Sequence, residues 1–341
     1  MNTLDTIRYM GIKTKLLDNI IPEIQKVTPK NGIVLDIMAG SNAVSYALKE
    51  FFTVYTNDIQ EYSYTISKAV IENQAETISK ETAKKELSEN IDKNLQDKLY
   101  NFFENTYSDT YFSKKQCEYI DAIRYSVSQI KNKYRQALYL FALMDAMCKV
   151  QSTPGHFAQF MPSDHKRIIP LQNMDILEEF WDKCNNYSAL CFTDKNNKAF
   201  CMDYKELLKL NDIKSVDTVY LDSPYSQEQY SRFYHILETL VKYDNPKVDF
   251  KAKYRDDRFQ SDFCYKNRVK KEFETIISFC SKNGKNLVIS YSNKGLLAEN
   301  ELFALCKSYF KKAELKEIDY KHSTQGKGEQ KLKEIIITCA K

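Results

Sequence analysis

The chain has 341 residues, 43% of them hydrophobic, with 50 basic against 46 acidic side chains and a net charge of +4. The apolar content is ample for a core, in one large domain or two smaller ones, and no apolar run approaches the roughly 18–20 residues that cross a bilayer. So weak a charge excludes a globally basic coat, and any basic surface must be local.

Nine cysteines are scattered without Cys-x-x-Cys spacing, and Met1 to Tyr9 has no apolar signal core. Both features point to a cytoplasmic protein with reduced thiols and no membrane anchor. Four dispersed histidines do not make a metal site, so no metal is expected. His156 and His165 read as structural or surface residues.

In chain order, Gly32 to Ile37 reads as a buried strand, apolar with no helical period. It runs into Met38-Ala39-Gly40-Ser41-Asn42 and a helical stretch, and a second strand, Thr53 to Asn57, ends at Asp58. Residues 32–58 thus form a β–loop–α–β unit, about half of a nucleotide-binding fold. From Ile71 to Tyr100 the chain is charged and helical. The spacing of Ile120, Ile123, Val127, Ile130 and Tyr134 predicts another helix, and Leu138 to Val150 is apolar nearly all round until Ser152-Thr153-Pro154-Gly155 breaks it. Residues 75–195 therefore read as a largely helical insertion between two parts of one sheet, 1–74 and 196–341.

Strand character returns in Ala199 to Met202 before Asp203, in Thr218 to Leu221 before Asp222, and in Asn286 to Tyr291. Leu315 to Tyr320 and Lys333 to Cys339 read as an antiparallel terminal pair. The whole predicts an α/β fold: a doubly wound, mostly parallel seven-stranded sheet of Rossmann-like type with a reversed last strand.

Chemistry concentrates at strand ends, where an open α/β sheet holds its ligands. Gly40 lies at a strand-to-helix junction, where the backbone approaches a ligand closely and free N–H groups point outward. Asp58 is placed to accept hydrogen bonds from ribose hydroxyls or to cap a helix. Asp222-Ser223-Pro224-Tyr225 is the strongest element. A carboxylate and a backbone carbonyl can each accept one N–H of an exocyclic amine, freeing its lone pair for an electrophile. Pro224 keeps Ser223 extended, and Tyr225 offers a stacking face worth about 1–3 kcal/mol. Downstream, Tyr230, Arg232, Tyr234 and His235 are candidates to face a base or phosphate. Residues 247–271 carry nine basic side chains among four aspartates. That segment reads as a phosphate-contacting loop, with Arg255 and Arg258 in it, or as a solvated surface.

The ordered set Arg8-Tyr9-Met10-Gly11-Ile12-Lys13, Asp36-Ile37-Met38-Ala39-Gly40-Ser41, Thr56-Asn57-Asp58-Ile59, Met202-Asp203 and Asp222-Ser223-Pro224-Tyr225 resembles the Dam-like, alpha-group N6-adenine DNA methyltransferases. The likeness runs nearly end to end and is strongest to modification enzymes of bacterial restriction systems. It implies S-adenosylmethionine as cofactor. Tyr9, Gly11 and Lys13 match the N-terminal cofactor motif, and Asp36, Ala39 and Gly40 the loop around the methionine part. Asp58 matches the ribose-binding acid, and Asp203 the residue beside the cofactor's adenine. Asp222, Ser223, Pro224 and Tyr225 match the catalytic tetrapeptide, and 75–195 corresponds to the target-recognition region.

Three positions depart from the family pattern: Ser223 stands for the usual proline, Met38 for the phenylalanine before Ala-Gly, and Asn42 for a glycine. The resemblance implies duplex DNA as substrate, with Arg232, Tyr234, Arg255 and Arg258 as expected DNA contacts, and a cognate restriction endonuclease as partner. The adenine would be flipped out of the duplex to be reached. Methylation of cytosine N4 or RNA adenine, and a non-catalytic cofactor- or DNA-binding module, remain alternatives at this stage.

Overall fold

The computed structural model describes residues 3–4, 7, 11, 13–187, 194–320 and 332–341. Its main sheet has seven strands: β1 (Ile33–Asp36), β2 (Thr53–Asp58), β3 (Lys198–Cys201), β4 (Thr218–Asp222), β7 (Asn286–Ser292), β8 (Lys312–Tyr320) and β9 (Leu332–Ala340). A separate hairpin pairs β5 (Val248–Asp249) with β6 (Tyr254–Arg255). The sheet order is β3-β2-β1-β4-β7-β9-β8. Parallel pairing runs from β3 to β7, and β9 is antiparallel to both β7 and β8. The doubly wound sheet and its reversed last strand are as the sequence predicts.

Packing follows composition. Every residue of β7 is buried, as suits a central strand. Edge strand β8 carries Lys312, Glu314, Lys316, Glu317 and Asp319, charges that discourage pairing with another chain. The helix Leu17–Val27 buries Leu17, Ile20, Ile21 and Ile24, one stripe at helical spacing. Its apolar core also takes in Val34, Tyr220, Val288 and Ile336 from one face of the sheet. Helices Val269–Lys282 and Glu299–Tyr309 cover the other face, against Leu35, Leu221, Leu287 and Ile337.

Among the described residues between 75 and 195 the regular elements are helices, the longest being Lys80–Asp97, Lys114–Ser128 and Lys133–Val150. Their core is continuous with the first face of the sheet. Two expectations are corrected. The helix predicted from Ile71 begins only at Lys80, where Ser79 accepts from the Thr82 amide and Thr82 accepts from that of Ser79. The run from Ile120 to Tyr134 is two helices, because Asn132 caps a new start by accepting from the amides of Tyr134 and Arg135.

Candidate active site

Three adjacent strands end in an acid: Asp58 on β2, Asp36 on β1 and Asp222 on β4, while Asp203 follows β3 by two residues. All four line one cleft, together with Gly11, Lys13, Ala39, Gly40, Ser223, Pro224 and Tyr225. The structure thus brings together the predicted cofactor and catalytic residues, apart from Tyr9, which lies outside the described residues.

The loop after β1 is tied down by side chains. The Asp58 carboxylate accepts from the Gly40 and Gln60 amides, each at 2.9 Å. Gly40 has φ +50° and Asn42 has φ +63°, both left-handed. Asn42 is fully buried and replaces glycine's freedom with bonds: its amide donates to the Ser63 carbonyl at 3.1 Å, and its Oδ1 accepts from Ser67 at 2.6 Å. Asp36 is 1% exposed and accepts from Ser45 at 2.5 Å, while its Oδ1 meets no hydrogen-bond partner among the described residues. Burial, reinforced by the Asp222 and Asp58 charges, pushes Asp36 up to about 7.

At the end of β4, Asp222 forms an ion pair with Lys13 at 3.0 Å. Lys13 is 3% exposed and also donates to the Gly11 carbonyl at 3.3 Å. Burial alone would depress this ammonium, but the charges of Asp222 and Glu334 hold it above its ordinary value. Asp222 is raised by burial against the opposing pull of Lys13. The Lys13 ammonium also lies 5.3 Å from the centre of the Tyr225 ring. Gly11 has φ +76°, and a Cβ there would come within 2.9 Å of the Tyr225 hydroxyl, so the close approach and the backbone both require glycine. The Tyr225 carbonyl accepts from the Leu296 amide at 3.2 Å. Ser223 is 2% exposed, and its hydroxyl has no hydrogen-bond partner among the described residues.

The segment after the tetrapeptide forms another wall. Ser231 donates to the Phe259 carbonyl at 2.6 Å, and Gln229 bonds the Ser261 amide and carbonyl at 2.7 and 3.2 Å. Phe259, Gln260, Ser261 and Asp262 therefore line the cleft.

The expected DNA contacts divide. Tyr234 is 1% exposed and packs on Tyr62 at 5.3 Å, so it is a core residue and presents no face to a ligand. Arg255, 2% exposed, is held by Asp244 and Asp257 at 2.6–2.9 Å, and its charge is used inside the fold. His235 is buried on the Phe157 carbonyl, and burial drives it down to about 3, which keeps it neutral. Arg232 is partly exposed, bonded to Glu228 and the Tyr254 hydroxyl. Half-buried Arg258 lies 4.6 Å from the Tyr254 ring.

Sequence reasoning gave no role to Ser45, Asn57 or Glu334. Asn57 joins the ends of β1 and β3 by donating to the Ile37 and Met202 carbonyls, and its place beside Asp58 was the available signal. Ser45 lies one helical turn past the Gly40 loop, and Glu334 opens an apolar strand; no local pattern marks either.

Residues 9–305 match the D12 class N6 adenine-specific DNA methyltransferase family. The chain belongs to that family. This bears out the resemblance read from its motifs. It is 29% identical to the modification methylase StsI of Streptococcus sanguinis, over 96% of this chain and 50% of the relative. Against the modification methylase LlaI of Lactococcus lactis subsp. lactis it is 28% identical, over 97% and 54%. The type II methyltransferase M2.HphI of Haemophilus parahaemolyticus is 26% identical over 97% of this chain and 96% of its own length. The chain therefore spans about half the length of StsI and LlaI. No helix among the described residues is long and apolar enough to cross a membrane, and no group of His, Cys, Asp and Glu there is placed to hold a metal ion.

Proposed function

We propose that the protein methylates the N6 amine of adenine at a specific sequence in duplex DNA, with S-adenosylmethionine as methyl donor. The observation that carries this reading is the position of Asp222 and Ser223 at the end of β4, in the same cleft as Gly40, Asp36, Asp58 and Asp203. Family membership supports the reaction class.

The donor fits the cleft by charge. S-adenosylmethionine carries a sulfonium and an ammonium against one carboxylate, and the cleft has a surplus of acids, one of which keeps an unpaired buried oxygen on Asp36. Gly11, Asp36, Ala39, Gly40, Asp58 and Asp203 would hold it. When bound, it supplies a methyl group activated for transfer to a nucleophile.

The chain's own residues act on the base. Asp222 and the Ser223 carbonyl each accept an N–H from the amine, which withdraws the lone pair from the ring and aims it outward. Both acceptors face the positive charge that develops on nitrogen, the type of preorganised term worth several kcal/mol. Ser223 serves through its backbone, so the change from proline leaves that acceptor in place. Tyr225 offers its ring to the base. Flipping the adenine out of the stack costs a few kcal/mol, which stacking and these hydrogen bonds offset. Target recognition is assigned to residues 75–195, with Arg232 and Arg258 as phosphate contacts at the cleft side, and a cognate endonuclease is the expected partner.

The test is transfer of tritium from labelled S-adenosylmethionine to mixed-sequence duplex DNA, followed by nucleoside analysis. N6-methyl-2′-deoxyadenosine in the digest, lost on Asp222→Ala, is the expected outcome. Label in cytosine, or in an RNA offered in parallel, would redirect the reading, and absence of label would overturn it.

A further inference from the structure

Glu334 lies near the start of β9, and its side chain shares a sheet face with Asp222. Asp222 pairs with Ser290 and Ser292 pairs with Glu334, and residues two apart on a strand point the same way. Glu334 is 5% exposed, and its Oε2 has no hydrogen-bond partner among the described residues. An unpaired buried carboxyl oxygen is costly, so its presence calls for a state of the site in which a partner arrives. The cation that faces it is Lys13, whose ammonium is bonded to Asp222 but also stabilised by the Glu334 charge.

We propose that Glu334 is a positioning residue for methyl transfer, taking over the Lys13 ammonium when the substrate amine claims Asp222. The proposal rests on the methyltransferase reading. Without substrate, Asp222 Oδ1 is engaged by Lys13 at 3.0 Å. An amine N–H and an ammonium then compete for the same carboxylate. Displacing Lys13 with no second anion would strand a buried charge. Glu334 supplies that anion and leaves the Asp222 lone pairs to the amine.

The groups around Glu334 permit this. Lys13 faces it from the N-terminal segment, Asp222 and Tyr220 from β4, and Tyr225 from the loop that follows. Its strand neighbours Ser292 and Ile318 are uncharged. Glu23, on the helix packed over β9, is engaged farther along with Thr338 and Lys316. Of these groups Lys13 is the cation that can move to it. Burial pushes Glu334 up to about 7, so below neutral pH it keeps its proton and the handover is disfavoured. On receiving Lys13 it ionises, and that proton passes to solvent.

The experiment measures initial rates of methyl transfer from tritiated S-adenosylmethionine into mixed-sequence duplex DNA between pH 6 and 9. Wild type, Glu334→Gln and Glu334→Asp are compared, with cofactor Kd by calorimetry and thermal unfolding in parallel. The wild-type kcat should rise through neutral pH. Glu334→Gln should lose that rise and fall about tenfold at pH 8, with cofactor Kd changed about twofold or less, as removal of an interaction made only on the way to the transition state requires. Glu334→Asp should recover part of the rate and of the pH dependence. A Glu334→Gln profile identical to wild type would overturn the proposal. So would parallel loss of rate, cofactor affinity and melting temperature that Glu334→Asp does not relieve. A wild type that transfers no label removes the methyltransferase reading as well, whereas an active wild type with an indifferent Glu334→Gln removes this proposal alone.

Discussion

Asp222→Asn isolates the charge on which the site depends. The substitution keeps the shape of the side chain and removes the anion 3.0 Å from Lys13. Lys13, 3% exposed, retains the Gly11 carbonyl at 3.3 Å and the more distant charge of Glu334. Removing one partner of a fully buried pair costs roughly 3–5 kcal/mol. The Asp222 side chain is 22% exposed, and Glu334 remains, so about 1–2 kcal/mol is the reasonable loss. That lowers the melting temperature by roughly 1.5–3 °C. The catalytic loss should be far larger. An acceptor aimed at developing charge contributes about 10²–10³ in rate, and the amide keeps the acceptor oxygen but not its charge. Single-turnover methyl transfer at saturating cofactor, beside a thermal melt, separates the two effects. A rate within about tenfold of wild type would refute the assignment of Asp222, because a preorganised carboxylate acceptor cannot be that dispensable.

Other perturbations probe the frame of the site. Asn42→Ala keeps a left-handed residue, at about 1–2 kcal/mol, and strands Ser67, so urea unfolding should show a loss of about 3 kcal/mol; Asn42→Gly relieves the backbone and should lose roughly half of that, and equal losses would contradict a role for φ. Arg255→Met breaks the pairs with Asp244 and Asp257 and should lower stability without altering the salt dependence of DNA binding; a slope smaller by about one would return Arg255 to the phosphate interface. Burial pushes Asp36, Asp121, Glu238 and Glu334 each up to about 7. The fold then binds their protons more tightly than the unfolded chain, so this stability is full below the ordinary carboxylate range and lost as pH rises through about 7. His235, kept neutral by burial, opposes this with about 1 kcal/mol gained between pH 5.5 and pH 8, less than the summed loss from the four carboxyls. The ligand-free melting temperature should therefore fall by several degrees across that interval, and a steady rise would contradict these environments.

The strands and their terminal acids were legible because both signals are local. A run such as Thr218-Val219-Tyr220-Leu221 has no helical period, and Asp222 ends it before a proline. The basic segment 247–271 was legible as charge but not as pairing. Arg255 spends its guanidinium on Asp244, eleven residues earlier, and Tyr234 meets Tyr62 across the core. Neither partner can be read from spacing. The same holds for the break at residues 129–132, where the capping bonds of Asn132 prevail over an unbroken apolar period. Glu334 was hidden for a further reason: its significance comes from register, which sets it on the face of Lys13 and Asp222.

The placement of the acids explains why the cleft favours a cation. β3, β2, β1 and β4 lie side by side, and each delivers a carboxyl at or just beyond its C-terminal end. Parallel pairing puts those ends together on one edge, so the charges accumulate where burial resists them. Lys205, at the same edge, is drawn to Glu272 at 2.9 Å, which leaves Lys13 to answer the acids around β1 and β4. Asp36 is raised partly by the Asp222 and Asp58 charges, so a positive ligand near β1 should restore its ionisation. Cofactor binding should therefore tighten as pH rises through about 7, with proton release on binding. Calorimetry in two buffers of different ionisation enthalpy would detect that release, and affinity independent of pH from 6 to 8 would mean that the bound cation does not meet Asp36.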